Sequence, residues 1–123
     1  MVSKNTRLII NTEILNSPLF DRFGDEEKLS FLNHPSTVVF GVYEDSNLDA
    51  AGVLHFNNDH IYVRYLVGKF NKHINVIDQF VVTIGRTLDL QYVAMEYQRN
   101  AVLRIGQNIG YHVNRDNELV KGL

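Results

Sequence analysis

The feature of this sequence that most constrains its fold is a change of hydrophobic period in the second half of the chain. His60–Val67 alternates as a strand does, Ile74–Leu88 repeats its apolar residues at helical spacing, and Gln91–Tyr97 again has the pattern of a strand. A helix between two strands allows them to lie parallel, as a right-handed crossover. We therefore predict that these two strands are parallel neighbours in one sheet.

Shorter elements precede and follow this crossover. Asp25–Leu32 has a helical pattern in which Asp25 can cap the N-terminus and Leu29 and Leu32 lie three residues apart. The remaining predicted elements are a strand at Arg7–Thr12, a turn or two of helix over Glu13–Phe20, strands at Thr37–Tyr43 and Ala50–Phe56, a helix at Asn100–Ile109, and one last edge strand from His112–Val113 and Glu118–Val120. This order, β-α-α-β-β-β-α-β-α-(β), predicts an α/β (α+β) fold with a mixed, mostly antiparallel sheet flanked by helices.

Composition excludes several classes of function. The chain has 123 residues, which predicts a single domain over residues 1–123. Its net charge of −2 favours neither nucleic acid nor a membrane surface as a partner. It contains no cysteine, so disulfides, thiolate catalysis and cysteine-type zinc sites are excluded. No apolar run approaches the ~20 residues of a membrane span, and we expect a cytoplasmic protein.

Three groups of polar residues are candidates for a site. One predicted strand face carries the alternating residues His60, Tyr62, Arg64 and Leu66. This face could form a substrate cleft in which His60 or Tyr62 acts as base, or it could be a solvated face of the sheet. Glu96, at the end of the parallel strand, is a candidate catalytic carboxylate or an ordinary surface residue.

The third group, Lys72 and His73, precedes a helix, where it can bind an anion or form a solvated loop. His55 and His60 flank a tight turn and could suggest a metal pair. No Asp/His set with ligand spacing completes it, so we predict no metal site.

Two stretches carry a resemblance to a known family. Ala50–Val67 (AAGVLHFNNDHIYVRYLV) resembles a hairpin in which a glycine-containing strand precedes the cofactor-gripping strand, and Arg99–Tyr111 (RNAVLRIGQNIGY) resembles a closing helix that begins with Asn and ends in Gly plus an aromatic residue. Together with the element order, they resemble the GNAT (Gcn5-related N-acetyltransferase) superfamily. The resemblance implies an acyl-CoA N-acyltransferase fold, with acetyl-CoA as cofactor and an amine as substrate.

The resemblance also implies a set of cofactor contacts. The backbone at Leu66 and Val67 would hold the pantetheine arm, and amides over His73–Val76 would hold the pyrophosphate. The family's Arg/Gln-x-x-Gly-x-Gly/Ala loop falls on Lys72–Ile77, where Lys72 keeps a cation while Asn75 and Ile77 replace the glycines. The residues implied for the cofactor are Leu66, Val67, Lys72, His73, Asn75, Val76 and Asn100, and the catalytic candidates are Glu96, Tyr62 and His60.

Departures from the family pattern leave two functions open. Ile77 is expected to crowd the phosphates, and Asn75 with Asp78 has the spacing of a capping box that would occupy the helix amides. Gly106 falls where many family members carry a tyrosine that protonates the CoA thiolate. One hypothesis is an acetyl-CoA-dependent N-acetyltransferase. The other is a non-catalytic protein resembling compact bacteriophage members, either a virion component or an inhibitor of a host protein, located in the host cytoplasm or the virion.

Overall fold

The computed structural model describes residues 5–96 and 100–123 of the chain. Its strands, in chain order, are β1 (Thr6–Ile10), β2 (Thr37–Glu44), β3 (Asn47–Phe56), β4 (His60–Gly68), β5 (Tyr92–Glu96), β6 (His112–Val113) and β7 (Glu118–Gly122). Its α-helices are α1 (Asp25–Leu32), α2 (Ile74–Thr87) and α3 (Asn100–Asn108), and short 3-10 helices cover Thr12–Asn16, Pro18–Phe20 and Phe70–His73. Among the described helices, none is both long and apolar enough to cross a bilayer.

The strands form one mixed sheet in the order β1-β2-β3-β4-β5-β7-β6. Strands β4 and β5 are parallel neighbours and every other pair is antiparallel, so the predicted crossover and fold class are confirmed. The prediction of a single last edge strand is wrong. β7 lies between β5 and β6, because the chain after α3 turns back through Asn114–Asn117 and pairs along the full length of β5.

Apolar side chains cover both faces of the sheet. On one face, the apolar stripe of α2 packs on the strands, with Ile77 and Val81 almost fully buried against residues such as Leu54 and Ile61. On the other face, the 3-10 helices and α1 form a second cluster around Phe20 and other aromatic rings. The helices therefore flank the sheet on both sides, as the sequence predicts.

The first α-helix corrects two expectations. Gly24, not Asp25, occupies the N-cap position, and no side chain caps the helix. Leu29 and Leu32 are exposed, at 60% and 42%, whereas Phe31 is buried against Phe23 and Tyr65. A single aromatic side chain anchors this short helix.

A β-bulge resets the side-chain directions in β4. Arg64 is the extra residue of β4, because Val53 pairs with Tyr65 and Leu54 with Val63. A bulge reverses the alternation that follows it. Leu66 therefore joins the face of Ile61 and Val63, so the prediction that it shares a face with His60 and Tyr62 is wrong.

Candidate functional site

A cleft opens where β4 and β5 part. The two strands pair from His60 with Tyr92 to Val63 with Met95, and beyond that point β4 continues to Gly68 while β5 ends at Glu96. A cavity of about 170 Å³ lies at this divergence. It is lined by Arg22, Val63, Arg64, Tyr65, Leu66, Phe70, Met95, Glu96 and Val102. The cleft is thus open and is lined by both apolar and charged side chains.

The backbone of β4 beyond the divergence has a free edge. Between Arg64 and Gly68, β4 pairs only with β3 among the described residues, so its other side faces the cleft. An extended chain can pair with such an edge through backbone hydrogen bonds, as peptides do in β-augmentation. Leu66 lines the cavity and Val67 lies buried on the opposite face. The cleft therefore offers backbone groups along β4 in addition to the polar side chains that line it.

Glu96 and Tyr62 lie together at this end of β5. Glu96 is exposed and lines the cavity. Burial of Tyr62, together with the adjacent Glu96 carboxylate to which it is hydrogen-bonded, raises the pKa of Tyr62 to about 12. Tyr62 therefore stays protonated at neutral pH and can donate a hydrogen bond, but it is poorly suited to accept a proton. Glu96 is the better-placed base.

His60 lies away from the cleft. It occupies the first position of the paired region, and Val63, where the cleft opens, is three residues or about 10 Å further along the strand. Its ring stacks on Tyr92 at 4.6 Å, and its Nδ1 lies 2.6 Å from Asp59 Oδ1. These contacts give His60 a structural explanation, so the structure does not bring it together with Glu96.

Helix α3 contributes an apolar wall. Val102 lines the cavity, and Gly106 is buried one turn later. A Cβ added at Gly106 would lie 2.8 Å from Leu119 Cδ1, so this position faces β7 and lets the helix approach the sheet closely. A tyrosine there would have to displace Leu119. Asn100 begins α3, but its side chain is outside the described part of the chain.

Two arginines stand beside the cleft on the face of α1. Arg22 Cζ lies 4.6 Å from the Phe23 ring centroid and 5.9 Å from that of Tyr65, and Arg64 Cζ lies 4.8 Å from the same Tyr65 ring. Within residues 5–96 and 100–123, neither arginine forms an ion pair. Their charges are therefore held by aromatic contacts and left available to an anion.

At the start of α2, where the resemblance implies bound phosphates, Lys72 and His73 instead contact carboxylates of the chain itself. Lys72 Nζ donates to Glu44 Oε2 at 2.8 Å and lies 3.5 Å from Asp49 Oδ2. His73 is buried, and its Nε2 is 3.0 Å from the same Asp49 oxygen. The hydrogen bond with His73, followed by the nearby lysines, lowers the pKa of Asp49 against the opposing effect of desolvation. The hydrogen bond to Glu44 raises the pKa of Lys72.

Two expectations about this loop are wrong. Asp78 is not part of a capping box, because it accepts hydrogen bonds from the Tyr111 hydroxyl at 2.9 Å and from Lys121 Nζ at 2.8 Å. Ile77 does not crowd the approach, because it is 3% exposed and points into the core. Asn75 and Val76 are exposed on the first turn, and no side chain caps α2 at its first residues. Its first amides are therefore not blocked in the way the sequence suggested.

Backbone geometry fixes the position of Asp49. Asp49 is itself the extra residue of a bulge, since Val42 pairs with Ala50 and Tyr43 with Leu48. Its carbonyl accepts from Lys69 N at 2.8 Å. Gly68 has φ of 76°, and a Cβ there would lie 2.5 Å from that carbonyl oxygen. The loop after β4 is thereby tied to the β2–β3 hairpin.

Sequence reasoning missed Glu44 and Asp49. They lie 28 and 24 residues from the side chains they contact, in a hairpin that reads as an ordinary turn. Ligand atoms of Glu44, Asp49 and His73 lie within 4.8 Å of one another, a spacing that could hold a metal ion. The Lys72 ammonium already contacts both carboxylates and compensates their charge. The prediction of no metal stays a prediction.

Comparison with known proteins gives a clear result for the fold alone. No protein-family model and no curated protein sequence matches the chain. Among solved structures, a GNAT family acetyltransferase from Elizabethkingia anophelis with acetyl-CoA bound matches with a TM-score of 0.75 and 14% identity, over 97% of this chain and 99% of that one. An IAA acetyltransferase from Bacillus cereus matches with a TM-score of 0.76 and 10% identity, over 97% and 100%.

A Bacillus subtilis acetyltransferase in complex with CoA matches with a TM-score of 0.70 and 12% identity, covering 97% of this chain and 99% of that chain. The protein therefore has the GNAT acyl-CoA N-acyltransferase fold. The mixed sheet, the parallel β4–β5 pair and the cleft between them belong to that architecture. At sequence identities this low, the structural matches show the fold alone and not the reaction.

Proposed function

We propose that the protein binds the thioester end of an acyl-CoA in the cleft between β4 and β5 and transfers the acyl group slowly to an amine. The observation that carries the proposal is the open cleft itself, with a free β4 edge on one side and Glu96 at its rim. Leu66 and Val67 supply backbone groups for the pantetheine arm. The likeness to structures that hold acetyl-CoA or CoA supports the choice of ligand.

The reaction would be direct attack of the amine on the thioester carbonyl. A C–N bond forms, the C–S bond breaks, and the CoA sulfur leaves as a thiolate. Glu96 takes the proton released by the amine, and the Tyr62 hydroxyl orients Glu96 through their hydrogen bond. The described part of α3 places Val102, which is not an acid, against the cavity, so we expect the leaving thiolate to take its proton from water. Without a general acid from this part of α3, transfer should be slow.

The charges beside the cleft favour an acceptor with an anionic group. Arg22 and Arg64 line the same cavity as Glu96. Guanidinium groups bind carboxylate and phosphate in a bidentate geometry. An amine that also carries an acid would thus be bound at both ends. In a panel of paired amines, the acidic member should react faster, and Arg22→Gln should reduce that preference. Equal rates for the two members would contradict this choice of acceptor.

Titration calorimetry with acetyl-CoA, paired with thermal unfolding, tests the proposal. A ligand at 100 times its dissociation constant should stabilise the fold by ~2.7 kcal/mol. We expect measurable heat and a rise in melting temperature at millimolar acetyl-CoA. If acetyl-CoA at millimolar concentration gives neither heat nor a rise in melting temperature, the protein does not bind acyl-CoA as proposed.

A second candidate is a non-catalytic binding protein, which includes a bacteriophage virion component or an inhibitor of a host protein, in the host cytoplasm or the virion. The observation that favours it is the pairing of Lys72 and His73 with Glu44 and Asp49, since it removes free cations from the start of α2. Such a protein should form an oligomer or complex that buries more than ~1,000 Å². A monomer that turns over acetyl-CoA would eliminate this candidate.

A further inference from the structure

The two basic side chains at the start of α2 already contact carboxylates from within the chain. Lys72 Nζ lies 2.8 Å from Glu44 Oε2 and 3.5 Å from Asp49 Oδ2. His73 Nε2 lies 3.0 Å from Asp49 Oδ2 and 4.0 Å from Glu44 Oε1. Both carboxylates are largely buried, at 16% and 14% side-chain exposure, whereas Lys72 is 45% exposed. An incoming phosphate would therefore meet a lysine whose charge is already shared with two carboxylates.

The charge balance at the loop disfavours a pyrophosphate. Lys69 and Lys72 bring two positive charges close to Asp49, and Glu44 and Asp49 bring two negative ones. The first amides of α2 attract anions through the helix dipole. Two fixed carboxylates beside them repel a ligand of the same sign. The lowered pKa of Asp49 and the raised pKa of Lys72 keep both of these groups charged at neutral pH.

The arrangement is built into the backbone. The bulge at Asp49 directs its carboxylate to the loop, its carbonyl binds Lys69 N at 2.8 Å, and Gly68 at φ 76° allows that close approach. These contacts fix the backbone of Asp49, from which its carboxylate reaches His73 Nε2 at 3.0 Å.

We infer that Glu44 and Asp49 make this protein selective for the pantetheine thioester part of its acyl donor, so that the adenosine diphosphate part of CoA adds no affinity. The inference rests on the proposed function, because it concerns the same cleft. The donor class that fits best is an acyl-pantetheine thioester without a pyrophosphate. The cleft supplies an edge for the pantetheine arm, and the carboxylate pair contacts the two basic side chains that precede α2.

The test compares two donors on the intact protein. Titration calorimetry with acetyl-CoA and with S-acetylpantetheine should give dissociation constants within about threefold of each other, where free cations would favour acetyl-CoA by tenfold or more. The double variant Glu44→Gln/Asp49→Asn should bind acetyl-CoA at least about tenfold more tightly and S-acetylpantetheine within about threefold of the original protein.

A matched control separates local charge from net charge. The variant Asp25→Asn/Glu26→Gln removes two exposed carboxylates at the start of α1 and should leave both affinities unchanged. Thermal unfolding verifies that each variant is folded, and the comparison of donors on the original protein needs no variant. Acetyl-CoA binding more than tenfold tighter than S-acetylpantetheine in the original protein would overturn the inference while the proposed function survives. If neither donor binds, the proposed function fails and the inference with it.

Discussion

The cleft between β4 and β5 and the first turn of α2 lie on either side of one short loop, yet they have opposite characters. The cleft is left open by backbone features, namely the parting of two strands and the bulge at Arg64. The first turn of α2 keeps uncapped amides, but the two basic side chains before it, Lys72 and His73, contact Glu44 and Asp49. Backbone geometry therefore keeps the cleft for a thioester open, whereas a few side chains determine whether phosphates can bind beside it.

The largest expected effect is on the chemistry in the cleft. Glu96→Gln should lower any acetyl transfer by about 10²- to 10⁴-fold, the range for loss of a general base. Binding of acetyl-CoA should change little, because the amide keeps the size of the side chain. Glu118→Gln is the matched control, since Glu118 of β7 lies opposite Glu96 of β5 in the sheet. Equal activity of both variants would remove Glu96 from the mechanism.

Filling the cleft should have the next largest effect. Val102→Phe places a ring in a cavity of about 170 Å³ and should weaken acetyl-CoA binding by roughly 100-fold, or about 2.7 kcal/mol. Gln107→Phe, at an exposed position of the same helix, should bind as the original protein does. If Val102→Phe binds normally while remaining folded, the ligand does not occupy this cleft.

Breaking the loop geometry should affect stability more than binding in the cleft. Gly68→Ala forces a Cβ toward the Asp49 carbonyl oxygen at a backbone angle that favours glycine, and it should cost about 1–3 kcal/mol of unfolding free energy. Gly122→Ala meets no atom within 4 Å and should be close to neutral. Denaturant unfolding measures both. A neutral Gly68→Ala would mean that the loop is not held by Asp49.

The smallest expected effect is the dependence of stability on pH, which must be separated from the binding measurements. His55 stacks on His34 at 4.0 Å, its Nε2 is buried without a hydrogen-bond partner among the described residues, and burial followed by the charges of His34 and Arg64 lowers its pKa to about 4. The unfolded chain therefore binds more protons than the folded one between about pH 6.5 and 4. Stability from this group is complete above that window and declines as the pH falls through it.

The variant His55→Leu should lose less stability than the original protein when the pH falls from 7 to 5. His112→Leu, at an exposed position of β6, should keep the original pH dependence. Melting temperatures across this range provide the measurement. If all three proteins respond alike, the buried imidazole is not the source of acid sensitivity. Binding experiments at pH 7 or above avoid this effect.

The sequence predicts most of the fold because its strongest signals are periodic. The change of period from β4 to α2 and back to β5 identifies the parallel pair, and the bounds of α1 agree with the pattern. Ile77 falls at helical spacing with other apolar residues of α2, and it lies buried in the core with them.

The decisive parts of the site depend on pairing register, which no local pattern contains. The bulge at Arg64 is visible only when β4 is aligned with β3, and it changes which residues face the cleft. Asp49 reaches His73 because a second bulge and the hairpin before it direct its carboxylate there. The spacing of Asn75 and Asp78 suggested a cap, but tertiary contacts with Tyr111 and Lys121 took the carboxylate instead.

The most direct test of the central claim is a map of backbone amide chemical shifts in solution as acetyl-CoA is added. The account predicts saturable changes at Arg64–Gly68 and at Met95 and Glu96, with much smaller changes over Lys72–Val76. In Glu44→Gln/Asp49→Asn, the amides at the start of α2 should join the responding set. Changes centred on Lys72–Val76 in the original protein, or none along β4 at millimolar ligand, would contradict the account.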